Sequence, residues 1–356
     1  MKKLLLFTLI LILAAGAVFG DDAKTMPKMV GRLWLAPTFA FAPGGYDTDG
    51  DYDSYGSGEG SLKMFNLGFA LEYGIIDWIT AAIQWAPGVT VWSEMDNAQL
   101  KAGGSSVNAN GVADLFVGAK VQIAGENAPL KTDRLRFAIG PGVKIPLPGQ
   151  DFKDQLTNSA TGDDVTAGNV DNHVFGAGAR VYFDYIFNEH FFINVYNETI
   201  FYPVKQDIKN VGIKEYGALV TLKQGGFIPV NADADVDYGY DLTFEVEPVY
   251  STPLGDSGVT LTAGLPINYK FTPGHSYSVS NDNGTNTLAT TLKGLDEADP
   301  THMLKVKPNV SFFFTKWFLP TDIGITYGLP VWGKNSAARH EITLKVKLYF
   351  ALPGAR

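Results

Sequence analysis

The residues of this chain with chemistry to offer are charged, and they recur at every second position. In the last stretch, Arg339, Glu341, Thr343, Lys345, Lys347 and Tyr349 alternate with Ile342, Leu344, Val346, Leu348 and Phe350. The same spacing sets Arg32, Glu72, Asp114, Lys120, Arg134, Arg136, Lys144, Arg180, Asp184, Glu198, Glu245, Glu247, Lys270, Lys305 and Lys307 opposite apolar neighbours. A period of two is that of a strand, with one oily and one ionic face. The signs are unevenly spread. Glu198, Glu245 and Glu247 come from successive segments, whereas Lys305, Lys307, Lys345 and Lys347 gather near the end of the chain. Around a pore such a distribution is a transverse field that orients a polar solute. Its alternative is mutual pairing that fills the interior, since buried charges are normally paired. Both readings stay open at this stage.

Two other groups invite chemistry. Asp47, Asp49, Asp51 and Asp53 place carboxylates at alternate positions, as calcium loops do, but the glycine at the sixth position and the acid at the twelfth are absent. The expectation is a solvated acidic loop, with weak divalent-cation binding as its alternative and no other cofactor. His173, His190, His275, His302 and His340 are scattered, and none stands in a nucleophile–base–orienter arrangement. The chain reads as a non-enzyme.

The elements that must hold these residues are strands. Alternating segments run from Val30 to Ala42, Leu62 to Tyr73, Ile79 to Trp92, Gly111 to Ala124, Arg134 to Ile145, His173 to Phe187, Phe191 to Tyr202, Tyr240 to Tyr250, Gly258 to Phe271, His302 to Phe314, Phe318 to Val331 and Arg339 to Phe350. Every second connection is tight, as at Asp77, Asn188-Glu189 and Thr315-Lys316, and most of the others are long and polar. A soluble sandwich has no reason to sort its loops this way; a transmembrane barrel does, with short periplasmic turns and long extracellular loops. The fold class expected is all-β, an antiparallel transmembrane β-barrel of about twelve strands, or about fourteen if Ala218 to Leu222 adds another pair. Trp78, Phe191, Trp317, Phe318 and Phe350 then sit at the membrane–water boundary.

Lys2 and Lys3 precede an apolar run, Leu4 to Leu13, and then small residues. This is the pattern of a secretory signal peptide. The organisation expected is a signal peptide at 1–20, a short periplasmic segment at 21–29, a barrel at 30–350 and a tail at 351–356. The location expected is the bacterial outer membrane. The 356 residues carry a formal net charge of −9 and no cysteine, which removes disulfides, thiolate metal sites and lipid acylation. The acidic balance argues against nucleic acid. The partners expected are outer-membrane lipid, barrel-insertion machinery and small solutes.

Gly111-Val-Ala-Asp-Leu-Phe-Val-Gly-Ala-Lys-Val-Gln-Ile123 and Leu135-Arg-Phe-Ala-Ile-Gly-Pro-Gly-Val-Lys-Ile-Pro-Leu-Pro-Gly149 resemble a hairpin of the outer-membrane channels related to long-chain fatty-acid transporters, particularly those of aromatic-hydrocarbon (phenol meta-pathway) type. The resemblance implies passive uptake of small hydrophobic molecules. Fatty-acid transporters have a substantial N-terminal plug, and residues 21–29 leave little chain for one. The function expected is a diffusion channel for small solutes; the alternative is a non-conducting structural or adhesive barrel displaying acidic loops.

Overall fold

The computed structural model describes residues 22–54, 61–93, 108–147, 172–211, 232–280 and 300–351. Twelve membrane strands form one closed antiparallel wall. They are β1 (Val30–Ala42), β2 (Leu62–Ile76), β3 (Ile79–Ser93), β4 (Leu115–Gly125), β5 (Leu135–Ile145), β6 (Gly176–Ile186), β7 (Phe191–Phe201) and β8 (Tyr240–Pro253). Next come β9, in two pieces (Val259–Gly264 and Ile267–Thr272), and β10, also in two (Thr301–Val306 and Asn309–Phe314). The wall ends with β11 (Thr321–Lys334) and β12 (His340–Ala351). β12 pairs with β1 from Val30↔Ala351 to Phe41↔His340. Closure satisfies the edge groups that hydrocarbon cannot.

The breaks in β9 and β10 fall at Pro266 and Pro308, which have no N–H to give to a ladder. The neighbouring strands recover part of the pairing: Leu265 N donates to Pro248 O and Lys307 N to Pro266 O.

Burial is inverted relative to a soluble protein. Phe65, Ile325, Ile342 and Leu344 are exposed, whereas Asp184 is 0% and Glu245 4% exposed. In water this would leave a broad apolar band facing solvent and ions in the core; around a lipid-embedded barrel the band meets hydrocarbon. The two-fold alternation of Arg339–Phe350 therefore resolves with its oily face outward. This is the architecture of a bacterial outer-membrane β-barrel.

Fourteen strands are not formed by the described residues. Ala218 to Leu222 lies outside them. The flanking strands Gln206–Val211 and Ala232–Asp237 pair with each other and with Ser276–Ser280 in a separate sheet beyond the loop end of the wall. A second small sheet joins Gly44–Tyr46 to Tyr52–Ser54 and Ser336–Ala337. It brackets the acidic loop: Asp47 Oδ1 accepts from the backbone N–H groups of Asp49 and Asp51, both at 2.9 Å, so this carboxylate is turned onto its own hairpin.

Of the boundary aromatics, Trp317 stacks on Phe314 at 4.3 Å and Phe318 is fully exposed at the same turn. Phe191 packs on Phe187 at 5.2 Å. Trp78 is half-buried at the β2–β3 turn. Phe350 fills the space beside Gly31, where a Cβ would come within 2.2 Å of its ring. A second aromatic belt, not expected from the sequence, runs near the loop end: Phe201 and Tyr240 pack at 5.9 Å, and Tyr240 and Phe271 at 5.8 Å.

Candidate functional site

The bore is built from the inward face of each strand, and most of its charges find partners on a neighbouring strand. Arg32 Nε donates to Glu72 Oε2 at 2.5 Å, and Trp34 Nε1 donates to the same oxygen at 3.1 Å. The Trp34 ring lies 4.6 Å from the Arg32 guanidinium and 4.2 Å from Lys347 Nζ, so it sits between two cations. Lys347 also reaches Asp322 at 3.3 Å. Arg180 pairs with Glu198 and covers the Phe116 ring at 3.8 Å. Lys305 meets Glu341 at 2.5 Å, and Lys307 lies 3.8 Å from Glu245. Glu247 accepts from Asn309 Nδ2 at 2.8 Å and Asn194 Nδ2 at 3.2 Å.

Nearer the loop end, Tyr202 and Thr272 donate to Asp241, and Lys144 donates to the Tyr202 hydroxyl. Lys270 stands on β9 opposite Thr243. Asp114 ties the rim together by accepting from the backbone of Leu147 and of His173, both at 3.1 Å. Arg134 is the exception to the interior set. It precedes the first residue of β5 and is exposed at the turn end, because the strand starts one residue later than its sequence suggests.

Asp22 to Met29, the described part of the expected short periplasmic segment, fold into the bore. Ala23 is completely buried against Ala138, Tyr182 and Tyr196. Its N–H points to both oxygens of Asp184, at 3.0 and 3.1 Å, and Arg136 donates to the same carboxylate at 3.2 Å. Lys120 Nζ donates to Asp22 O at 2.8 Å and Lys24 O at 3.3 Å, and Gln122 Nε2 donates to Ala23 O at 2.9 Å. Met26 N donates to Thr80 Oγ1 at 2.8 Å.

The inward side chains of β3, β4 and β6 thus satisfy backbone groups of an irregular segment that is buried at Ala23 and Met26 and exposed at Lys24, Pro27 and Lys28. Gly74 lets it pass, since a Cβ there would lie 2.1 Å from Pro27 O. Met29, at φ 63°, reverses the chain into β1. A short N-terminal plug is present where the sequence suggested none.

The segment occupies one side of the bore only. Against its other side lies a cavity of about 620 Å³, bounded by Asp22 to Pro27 except Ala23 and by inward residues of β7, β8 and β9 to β12. The lining mixes polar groups such as Asn194, Ser251, Thr262 and Lys345 with Phe192, Val249, Phe313 and Tyr349. A volume of this size accommodates a small organic molecule.

The histidines are not gathered. His302 and His340 face outward among aromatics, bonded to the hydroxyls of Tyr269 and Tyr327. His275 is buried edge-on against Tyr238 at the loop end, and burial pushes its pKa down to about 4 against the pull of Asp241 and Asp237. Among the described residues no group of three or more His, Cys, Asp or Glu is placed to hold a metal ion.

No protein-family model matches the chain, and no curated protein matches it. Among solved structures, an outer-membrane channel from Pseudomonas putida F1 superposes with a TM-score of 0.60 at 13% identity, covering 94% of this chain and 100% of that one. The transport unit of the autotransporter AIDA-I from Escherichia coli gives 0.49 at 7% identity, with 98% and 97% covered. A FadL homologue from Pseudomonas aeruginosa gives 0.36 at 12% identity, with 97% of each chain covered. At these identities the first likeness speaks for the fold, and the chain shares the outer-membrane β-barrel fold with that channel.

Proposed function

We propose that this barrel is an outer-membrane channel through which small solutes diffuse, entering the periplasm past the N-terminal segment. The observation that carries the reading is the 620 Å³ cavity beside that segment. Twelve strands enclose more space than the roughly eight whose side chains just fill a barrel, and beside the segment part of that space stays open. The fold it shares with an outer-membrane channel supports the reading. So does the resemblance of the β4–β5 hairpin to channels for hydrophobic solutes, which makes an organic molecule with apolar surface the expected cargo. Export by the signal peptide, assembly by barrel-insertion machinery and residence among outer-membrane lipids complete the proposal.

The test is planar-bilayer conductance of the refolded protein, compared with a variant lacking residues 22–28. The expected result is small conductance steps from the native chain and larger ones from the variant. Silence from both, with no solute flux into liposomes, would leave a structural or adhesive barrel.

A further inference from the structure

We infer that the inward row Ser251, Thr262, Ser311, Gly324 and Lys345 is a binding subsite for an organic carboxylate; as a step in transport, this rests on the channel reading above. The strand register makes the row. Ser251 faces Thr262 across β8 and β9, Thr262 faces Ser311, Ser311 faces Gly324, and Gly324 faces Lys345 on β12. Adjacent strands lie about 4.8 Å apart, so the row runs roughly 20 Å around the wall. All five residues line the cavity.

Ser251 and Thr262 are hydrogen-bonded to each other at 3.0 Å. Gly324 interposes no side chain between Ser311 and Lys345, and a Cβ there would lie 2.7 Å from that of Ser311. A band of hydroxyls therefore leads, without obstruction, to an ammonium.

Lys345 differs from the cations around it. Arg32, Arg136, Arg180, Lys305, Lys307 and Lys347 each have a carboxylate within ion-pairing distance. Among the described residues Lys345 has none, and no hydrogen-bond acceptor either. The carboxylates it senses, Glu247 and Glu245, are held elsewhere: Glu247 by Asn309 and Asn194, and Glu245 by Asn268 Nδ2 at 2.8 Å.

An ammonium has three donors and nothing to accept. Lys345 is half-buried on the cavity wall, so its donors are left to solvent there, and a ligand oxyanion offers a charge-assisted bond in its place. One unpaired cation with Glu247 nearby suits a single negative charge and not a phosphate dianion. Towards the turn end, Tyr349, four residues beyond Lys345 on β12, and Phe313, two beyond Ser311 on β10, pack at 5.2 Å and line the same cavity. They offer an aromatic surface for the rest of the molecule.

The test measures binding without transport. Benzoate, benzyl alcohol and inorganic phosphate are titrated against the full barrel in detergent, followed by saturation-transfer NMR. The expected result is that the wild type binds benzoate more tightly than the other two. Lys345→Met should weaken benzoate by about tenfold or more, as loss of a charge-assisted bond requires, while Lys345→Arg retains it. Lys345→Gln carries the same expectation should the methionine variant not refold.

Equal benzoate binding by wild type and the methionine or glutamine variant overturns the subsite, as does preference for phosphate. A barrel that binds benzoate through Lys345 yet passes no current keeps the subsite and refutes the channel. A conducting barrel indifferent to Lys345 does the reverse.

Discussion

Replacing Lys120 by Met should release the N-terminal segment. The ammonium donates to two main-chain carbonyls, Asp22 O at 2.8 Å and Lys24 O at 3.3 Å, and methionine keeps the aliphatic stem without either bond. A hydrogen bond from a charged donor contributes about 1.5–3 kcal/mol. The second of these bonds is long and shares its donor, so the pair is worth about 2–3 kcal/mol together, which shifts the docked–undocked equilibrium by about 30- to 150-fold. Asp184, Gln122 and Thr80 still hold Ala23 and Met26, so the segment is loosened and not expelled.

The chain has no cysteine, so Lys24→Cys supplies the only thiol and can carry a spin label. In Lys120→Met the label should become more mobile, and bilayer recordings should visit a larger conductance level more often. Lys120→Arg should behave like the parent. If label mobility and conductance are both unchanged in Lys120→Met, the segment is not held by these contacts and the account of the plug is wrong.

Two further outcomes follow from burial. Leu344 faces outward and is 45% exposed, so Leu344→Arg should cost about 2 kcal/mol, the penalty for a cation on a lipid-facing strand; urea titration of the barrel in lipid vesicles measures it, and a neutral result would place that face in water. His275 ionises in the unfolded chain near its ordinary value of 6.5 but is pushed down to about 4 by burial in the fold, against Asp241 and Asp237. Between those values the unfolded state binds more protons, so the stabilisation is complete above pH 6.5 and is lost as pH falls towards 4, by about 3 kcal/mol in all. His275→Phe should preserve the packing on Tyr238 and flatten that slope, as read by protease sensitivity of the loop end between pH 7 and pH 4.

The wall was legible because it repeats. A period of two over a dozen segments, with tight and long connections in turn, has few physical solutions, and each inward charge is located by counting from its apolar neighbours. The plug was not legible. Asp22 to Met29 has no period, and what holds it is backbone bonded to Thr80, Lys120, Gln122 and Asp184, residues from three strands whose convergence depends on barrel closure. Lys345 looked like Lys347 in the sequence, both being alternate residues of one strand. Only the register distinguishes them, placing Asp322 opposite Lys347 and a glycine opposite Lys345. The strand at Pro308 likewise read as continuous, because one proline among Val310, Phe312 and Phe314 does not disturb the alternation on either side.

The two halves of the bore differ in the reach of their side chains, and this is what divides it. Towards the turn end, the inward positions on β3, β4 and β6 carry Thr80, Lys120, Gln122 and Asp184, three of them long or charged groups that extend to the segment's backbone. The corresponding wall of β8 to β11 carries, between Glu247, Phe313 and Asp322, the run Ser251, Thr262, Ser311, Gly324 and Thr326, none of which extends far from the strand. Long polar groups have to be matched when water is excluded, and an irregular peptide supplies carbonyls and N–H groups at the density they require. Ser251 and Thr262 bond to each other at 3.0 Å, Thr326 Oγ1 has no partner among the described residues, and none of these short groups reaches the centre. A segment entering the barrel is therefore drawn to the first wall and away from the second, and the cavity persists beside it without any element being needed to hold it open.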